Sequence, residues 1–389
     1  MNQVFDVAVI GASLAGSICA GECARAGLSV ALIDRSAFPR RKACGEGLSA
    51  AGVHALERLG HWEAMQLPAH PFRGFKIWGR EGLIAELGGR TTAGFGVERT
   101  ALDTALLHRI TSLGPVRTCL GAPVTGLTRG ASWNEVRIGS TRVIARRLVL
   151  ADGGASPMST LLGIRRRIPA TGRFGITFHL SGRGAEIGSV HVFTRPEGEV
   201  YCTPLPHGRL NINFLGQPGT RVAPRGWLEQ EVLPTILKLI GLSDTLIEGP
   251  ETAPIGAAAI GGARPAVWGN VMLIGDACEQ LDPIGGMGMT HAILSGELAA
   301  QSIVQLHRGK LSEPSALRRY AALREEVVRP LRGFTAMTYR SLVARRSSPL
   351  TRMMLRSPLA LRISDAVHGS GQCSLSRRAL ACIGACVAL

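Results

Sequence analysis

Lysine is scarce in this sequence. Lys42, Lys76, Lys238 and Lys310 are the only ones among 44 basic residues, so the net charge of +16 is carried almost wholly by arginine. Aromatic residues are also few, at 5% of the chain. No finger-type ligand set and no aromatic-glycine sheet signature accompanies the charge, so nucleic acid is not an expected partner. No apolar run reaches the ~18 residues of a membrane-spanning helix. The first apolar stretch, residues 7–10, is short and follows Asp6, so it reads as a buried strand and not an export signal. The nine cysteines are odd in number and scattered. Cys19/Cys23 and Cys382/Cys386 have helical spacing but no partners at metal-ligand spacing. Reduced thiols, a cytoplasmic location and no metal site are the expectation. The 49 glycines follow no period, which excludes collagen-like and simple repeat designs. At 46% hydrophobic and 19% charged, 389 residues suffice for a large core and more than one domain.

The N-terminal segment has a full pattern. Residues 4–10 are an apolar, β-branched-rich strand that stops at Gly11. A turn through Gly11, Ala12, Ser13, Leu14, Ala15 and Gly16 follows, then a helix over 17–27 and a second strand over 30–33 that ends at Asp34. Gly11 permits a tight turn, and Gly16 lets helix and strand approach closely. The helix N-terminus offers backbone N–H groups and a positive dipole end to a pyrophosphate. Asp34, 23 residues after Gly11, is suited to a ribose. The usual second glycine of such a turn is Ser13 here.

Two distant segments narrow the ligand. In residues 267–289, an apolar strand closes at Gly275-Asp276, and Pro283, Gly286 and Gly288 lead into a helix near Met289. Residues 148–156 carry Asp152, Gly153 and Ser156. With the N-terminal unit, these resemble the FAD-dependent aromatic-ring hydroxylase (para-hydroxybenzoate hydroxylase-like) and geranylgeranyl reductase superfamily. The resemblance covers about residues 4–310. It implies non-covalently bound FAD, Asp276 on the ribityl chain, and a helix N-terminus at the N1–C2=O edge of the flavin, where reduced flavin is anionic. Arg99, in an R-x-x-L-D helix, and Val124, in a strand beside the adenine, are implied as further contacts, as are Arg35, Arg41 and Lys42. The superfamily's arginine three residues after Ser156 is Ser159 here. No second strand–glycine–helix unit follows, although NADPH or NADH is the expected electron donor.

Residues 39–49 form a loop rich in glycine and charge. They resemble the Lys-x-Cys-Gly loop of the geranylgeranyl reductase branch, which approaches the flavin. Cys44 is accordingly read as a redox or substrate-gating residue.

The fold class implied is α/β: a Rossmann-type, glutathione-reductase-like FAD-binding domain, an inserted and mainly antiparallel substrate domain, and a helical C-terminal region. The FAD-binding domain is assigned residues 1–70, 99–168 and 263–310. The substrate domain takes a hairpin over 71–98 and a sheet over 169–262, and residues 311–389 form the basic tail. The sheet is expected to turn an apolar face to the flavin, with Phe178, Tyr201, Phe214, Ile284 and Met287 lining a pocket. His179, His191 and His207 are possible proton carriers without an assigned role. The arginine-rich tail ends in an apolar run too short to span a bilayer, which permits peripheral membrane contact.

Three functions remain open. The first is a monooxygenase that uses molecular oxygen to hydroxylate a lipophilic, aromatic or polyketide-like molecule; residues 203–205, Thr-Pro-Leu, favour it. The second is a reductase of isoprenoid or other alkenes. The third is a non-enzymatic flavin electron-transfer protein.

Overall fold

A computed structural model describes residues 4–340 and 342, except 81, 89–91, 131, 183–186, 221–232, 242–246 and 251. The apolar C-terminal run and the arginines from Arg345 onward lie outside the described residues.

The chain begins with β1 (Val4–Ile10), α1 (Leu14–Arg25) and β2 (Val30–Asp34). Next come β3 (Gly47–Ser49), α2 (Ala50–Arg58), α3 (Trp62–Met65), β4 (His70–Phe72), the hairpin β5 (Gly74–Gly79) and β6 (Gly82–Gly88), and β7 (Gly94–Gly96). Then follow α4 (Arg99–Thr111), β8 (Val116–Leu120), β9 (Gly126–Arg129), β10 (Asn134–Ile138), β11 (Thr141–Leu150) and α5 (Pro157–Leu161). A run of strands comes after: β12 (Arg173–Gly182), β13 (Val190–Arg195), β14 (Gly198–Pro204) and β15 (Leu210–Gly216). The remainder is α6 (Leu233–Leu239), β16 (Ile247–Pro250), β17 (Ile255–Ile260), β18 (Val267–Trp268), β19 (Val271–Leu273), α7 (Gly288–His307) and α8 (Glu313–Tyr339).

Two large sheets result. The first runs β18-β19-β11-β1-β2-β8, with β10 and β9 added beside β11. Its β19, β11, β1, β2 and β8 are mutually parallel. An unbroken apolar strand suits a parallel sheet covered on both faces. Val7 and Val9 accordingly enter the core shared with α1, α4 and α7, and Ala8 and Ile10 enter the core on the other side. The second sheet runs β16-β12-β15-β14-β13-β5-β6, with β17 also on β12. It is antiparallel except at β13–β5, so the 74–88 hairpin joins it from a distant part of the sequence. β3, β7 and β4 make a small third sheet.

The second sheet corrects one expectation. Its central face toward the first sheet is polar, not apolar. Thr177 pairs with Asn213, His179 with Asn211, and Tyr201 with Asn213 across the strands. Cross-strand partners share a face, and alternate residues take the other. Phe178 and Phe214 therefore sit on the far face, in a core with Ile212, Leu233 and Ile236 of the α6 side. β15 is buried at every position, so hydrophobicity alone does not tell its two faces apart. Val124 also departs from expectation. Residues 122–125 form an irregular link between β8 and β9, not a strand.

Candidate active site

The glycine turn is dictated by space. Gly11 has φ 108°, and a Cβ there would lie 2.2 Å from the Ala151 carbonyl oxygen. A Cβ on Gly16 would lie 1.7 Å from the Gly11 oxygen. α1 starts at Leu14, three residues earlier than the sequence suggests, with Ser13 as an extended N-cap residue. The first bond inside the helix runs from the Ser17 amide to the Ser13 carbonyl. The amides of Leu14, Ala15 and Gly16 thus have no partner within the helix.

Ser13 has a structural reason to replace glycine. Its hydroxyl accepts from Arg99 Nη2 at 2.7 Å and donates to Asp103 Oδ2 at 3.1 Å. Arg99 holds Asp103 through Nε and Nη2, at 3.0 and 2.9 Å, and both side chains are buried. Burial opposes the charge on Arg99, yet Asp103 and the nearby Cys44 keep its pKa above the ordinary arginine value. Arg40 approaches Asp103 at 3.5 Å. The distant helix at 99–111 and the turn at 11–16 therefore meet through one polar knot.

The remaining first-sheet residues hold the frame. Asp34 accepts from the Ala12 and Ser36 amides at 2.8 and 2.9 Å, and Arg35 beside it is exposed. Asp152 accepts from Ser156 Oγ at 2.7 Å and from the Met158 amide at 2.9 Å, at the start of α5. Burial raises its pKa. Ser159, where a resemblance-based arginine is missing, is buried and bonded to Ser156 at 2.7 Å. Arg166 and Arg264 instead donate to the Gly154 carbonyl.

Gly275 turns with φ 54°, and its amide donates to Ser295 Oγ at 2.9 Å. Asp276 lies 3.8 Å from Lys42 Nζ. Asp282 caps the next turn by accepting from the Ile284 amide at 3.0 Å. Arg173, fully buried on β12, donates to Asp282 at 2.7 and 2.8 Å and also contacts Glu199. No local sequence pattern marks Arg173, Glu199 or Asp282, because they meet only in the folded chain. Gly286 has φ 65°. A Cβ on Gly288 would touch nothing within 4 Å, so open space lies against the start of α7. The amides of Gly288, Met289 and Thr290 precede the first bond inside that helix, from His291 to Met287.

A cavity of ≈ 240 Å³ joins these parts. Its wall on the first-sheet side includes Ser13, Leu14, Lys42, Cys44, Arg99, Asp276, Pro283, Gly286, Gly288 and Met289. Its opposite wall includes Phe72, Phe75, Ile77, Val190, Val192 and Tyr201, closed by Phe334, Met337 and Leu342. Of the five expected pocket residues, Tyr201 and Ile284 line it. Met287 does not, because it packs with Val328, Leu331 and Phe334 under α8. Arg41 points away too, donating to Thr252 Oγ1 at 3.0 Å. Every charged residue in the wall (Lys42, Glu46, Arg99 and Asp276) comes from the first-sheet side. The Tyr201 hydroxyl is buried without a hydrogen-bond partner among the described residues, and burial pushes its pKa up. Free thiols, no disulfide and no metal cluster are found among the described residues. None of the described helices is long and apolar enough to cross a membrane.

Two uncapped helix ends, a glycine turn and a cavity between them fit a long anionic cofactor with a flat end, the shape and charge of FAD. Fold and site together define an FAD-dependent oxidoreductase. The chain belongs to the FAD binding domain family, whose model matches residues 4–335. It is 32% identical over 319 residues to menaquinone reductase of Mycolicibacterium smegmatis, covering 77% of this chain and 76% of that one. It is 28% identical to digeranylgeranylglycerophospholipid reductase 2 of Methanopyrus kandleri, over 83% and 82% of the two chains. The fold is shared with PqsL, a probable FAD-dependent monooxygenase from Pseudomonas aeruginosa, at a TM-score of 0.75 and 18% identity, over 91% and 99% of the chains.

Proposed function

We propose that this chain is an FAD-dependent reductase that saturates carbon–carbon double bonds in a lipophilic, isoprenoid-bearing substrate. The observation that carries this reading is the division of the cavity. The wall on the second-sheet side, with α8, contributes no acidic, basic or imidazole side chain among the described residues. Such a wall suits an apolar chain. It offers no base to a phenol, which a ring hydroxylation draws on. The similarity to a menaquinone reductase and to a digeranylgeranylglycerophospholipid reductase, both named for lipids that bear isoprenoid chains, supports the same reading.

The α1 amides after Ser13 would face the pyrophosphate, and Asp34 with Arg35 the adenosine end. Lys42, Asp276 and the α7 amides at Gly288 and Met289 would face the flavin. Bound and reduced, FAD supplies a hydride to a substrate carbon. The neighbouring carbon then needs a proton. The raised pKa of Tyr201 keeps its hydroxyl protonated at the cavity, and Cys44 lines the facing wall. NADPH or NADH is the proposed source of electrons.

Purified protein reduced without oxygen and mixed with an unsaturated polyprenyl quinone tests the reading by product mass. A gain of two hydrogens on the isoprenoid chain is the expected result. A gain of one oxygen after admitting air, with no saturated product, would establish the hydroxylase instead.

A further inference from the structure

Glu46 stands between Gly45 and Gly47, in the loop that brings Cys44 to the cavity. Its φ is 55°, a region that glycine adopts freely and a residue with a Cβ does not. A third glycine would suit this backbone better, so the side chain supplies something that offsets the strain.

What it supplies is a three-way tie. Glu46 is only 4% exposed. One oxygen accepts from the Arg99 amide at 2.8 Å. The other lies 2.6 Å from His179 Nε2 and accepts from Asn211 Nδ2 at 3.0 Å. Arg99 opens α4, in the first-sheet layer. His179 and Asn211 stand opposite each other on β12 and β15 of the second sheet. The neighbours of Glu46 also hold Cys44 directly. The Cys44 carbonyl accepts from Asn211 Nδ2 at 3.1 Å and from Thr177 Oγ1 at 3.2 Å. The Glu46 amide donates to Cys44 Sγ at 3.4 Å. Around this knot, His179 Nδ1 lies 3.5 Å from Arg209 Nη2, and Arg209 pairs with Glu98.

We propose that Glu46 is a positioning residue: it locks the Cys44 loop to both sheets and so fixes the thiol at the cavity wall. The role concerns where the thiol stands, and it holds whichever substrate the cavity takes.

Alkylation of FAD-loaded protein by iodoacetamide, read peptide by peptide in a mass spectrometer, tests this. Cys119, partly buried on β8 and away from the cavity, is the internal reference. Glu46→Gly removes the carboxylate while relaxing the backbone at φ 55°, and the Cys119 rate reports whether the rest of the fold stays closed. Glu46→Gln keeps the shape and sets an amide against the Asn211 amide. In both variants Cys44 is expected to react about tenfold faster or more, the factor by which losing a charge-assisted hydrogen bond shifts a local opening. Cys119 is expected to keep its wild-type rate. Wild-type rates at Cys44 in both variants would overturn the proposal. So would a parallel rise at Cys44 and Cys119, which would mean general loosening.

Discussion

At the scale of single residues, the site rests on buried charges tied to polar partners far away in the sequence. The Arg99–Asp103 pair within α4 is the clearest case: Ser13, the residue that departs from the glycine pattern, ties the turn to it. Arg99→Met leaves Asp103 buried without its bidentate partner. The expected cost is about 3–5 kcal/mol, as for breaking other buried pairs, together with loss of bound flavin. Urea titration and the flavin-to-protein absorbance ratio check both. Arg99 was legible in the sequence through its motif. Glu46, Arg173 and Asp282 were not, because their partners lie on other strands and no local pattern brings them together. A charged residue between two glycines at 45–47 was the one signal on offer for Glu46.

At the scale of elements, the cofactor-side helices are set by close backbone approach. A Cβ on Gly296 of α7 would lie 2.4 Å from the Ala15 carbonyl oxygen of α1, and Gly275 meets the Ala15 side chain in the same way. Gly296→Val is therefore expected to push the start of α1 away from the middle of α7. We expect a destabilisation of roughly 1–3 kcal/mol, in the range of overpacked cores, with weaker FAD binding measured by fluorescence quenching. Strands, helices and the 74–88 hairpin were legible from apolar period and glycine punctuation. The facing of β12 and β15 was not. Both faces of these strands are buried, so period-2 alternation distinguishes polar from apolar residues but not flavin side from far side. Phe178 and Phe214 therefore occupy the far face and not the expected flavin side, while Tyr201, Thr203 and Asn213 of the same sheet reach the cavity.

At the scale of the whole molecule, the two sheets and α8 are joined by buried polar groups. Arg324 and Arg332 of α8 hold Glu279 against the burial that would raise it, and its pKa falls to about 2. His191 and His291 are both lowered to about 4, by burial first, with Lys76 acting on His191 and Arg324 on His291. Each histidine binds its proton more weakly in the folded protein than in the unfolded chain. Protons are then taken up on unfolding between the ordinary histidine value of 6.5 and about 4, so stability falls as pH drops through that window. Glu279 adds a further loss only below the ordinary carboxylate value, toward about 2. Thermal midpoints should fall from about pH 7 to about pH 5, and His291→Gln should flatten that slope. The division of charge across the cavity is a property of the same assembly, since one layer brings the cofactor-side charges and the other brings an uncharged wall of apolar, hydroxyl and amide side chains. It favours delivery of electrons from the reduced protein to an isoprenoid double bond, as proposed above. The decisive measurement is an anaerobic single turnover that follows flavin absorbance with two quinones that share a ring but differ in having an unsaturated or a fully saturated side chain. The flavin is predicted to reoxidise with the unsaturated chain, yielding the saturated product, and to stay reduced with the saturated one. Equal reoxidation by both, or reoxidation only when oxygen enters, would contradict it.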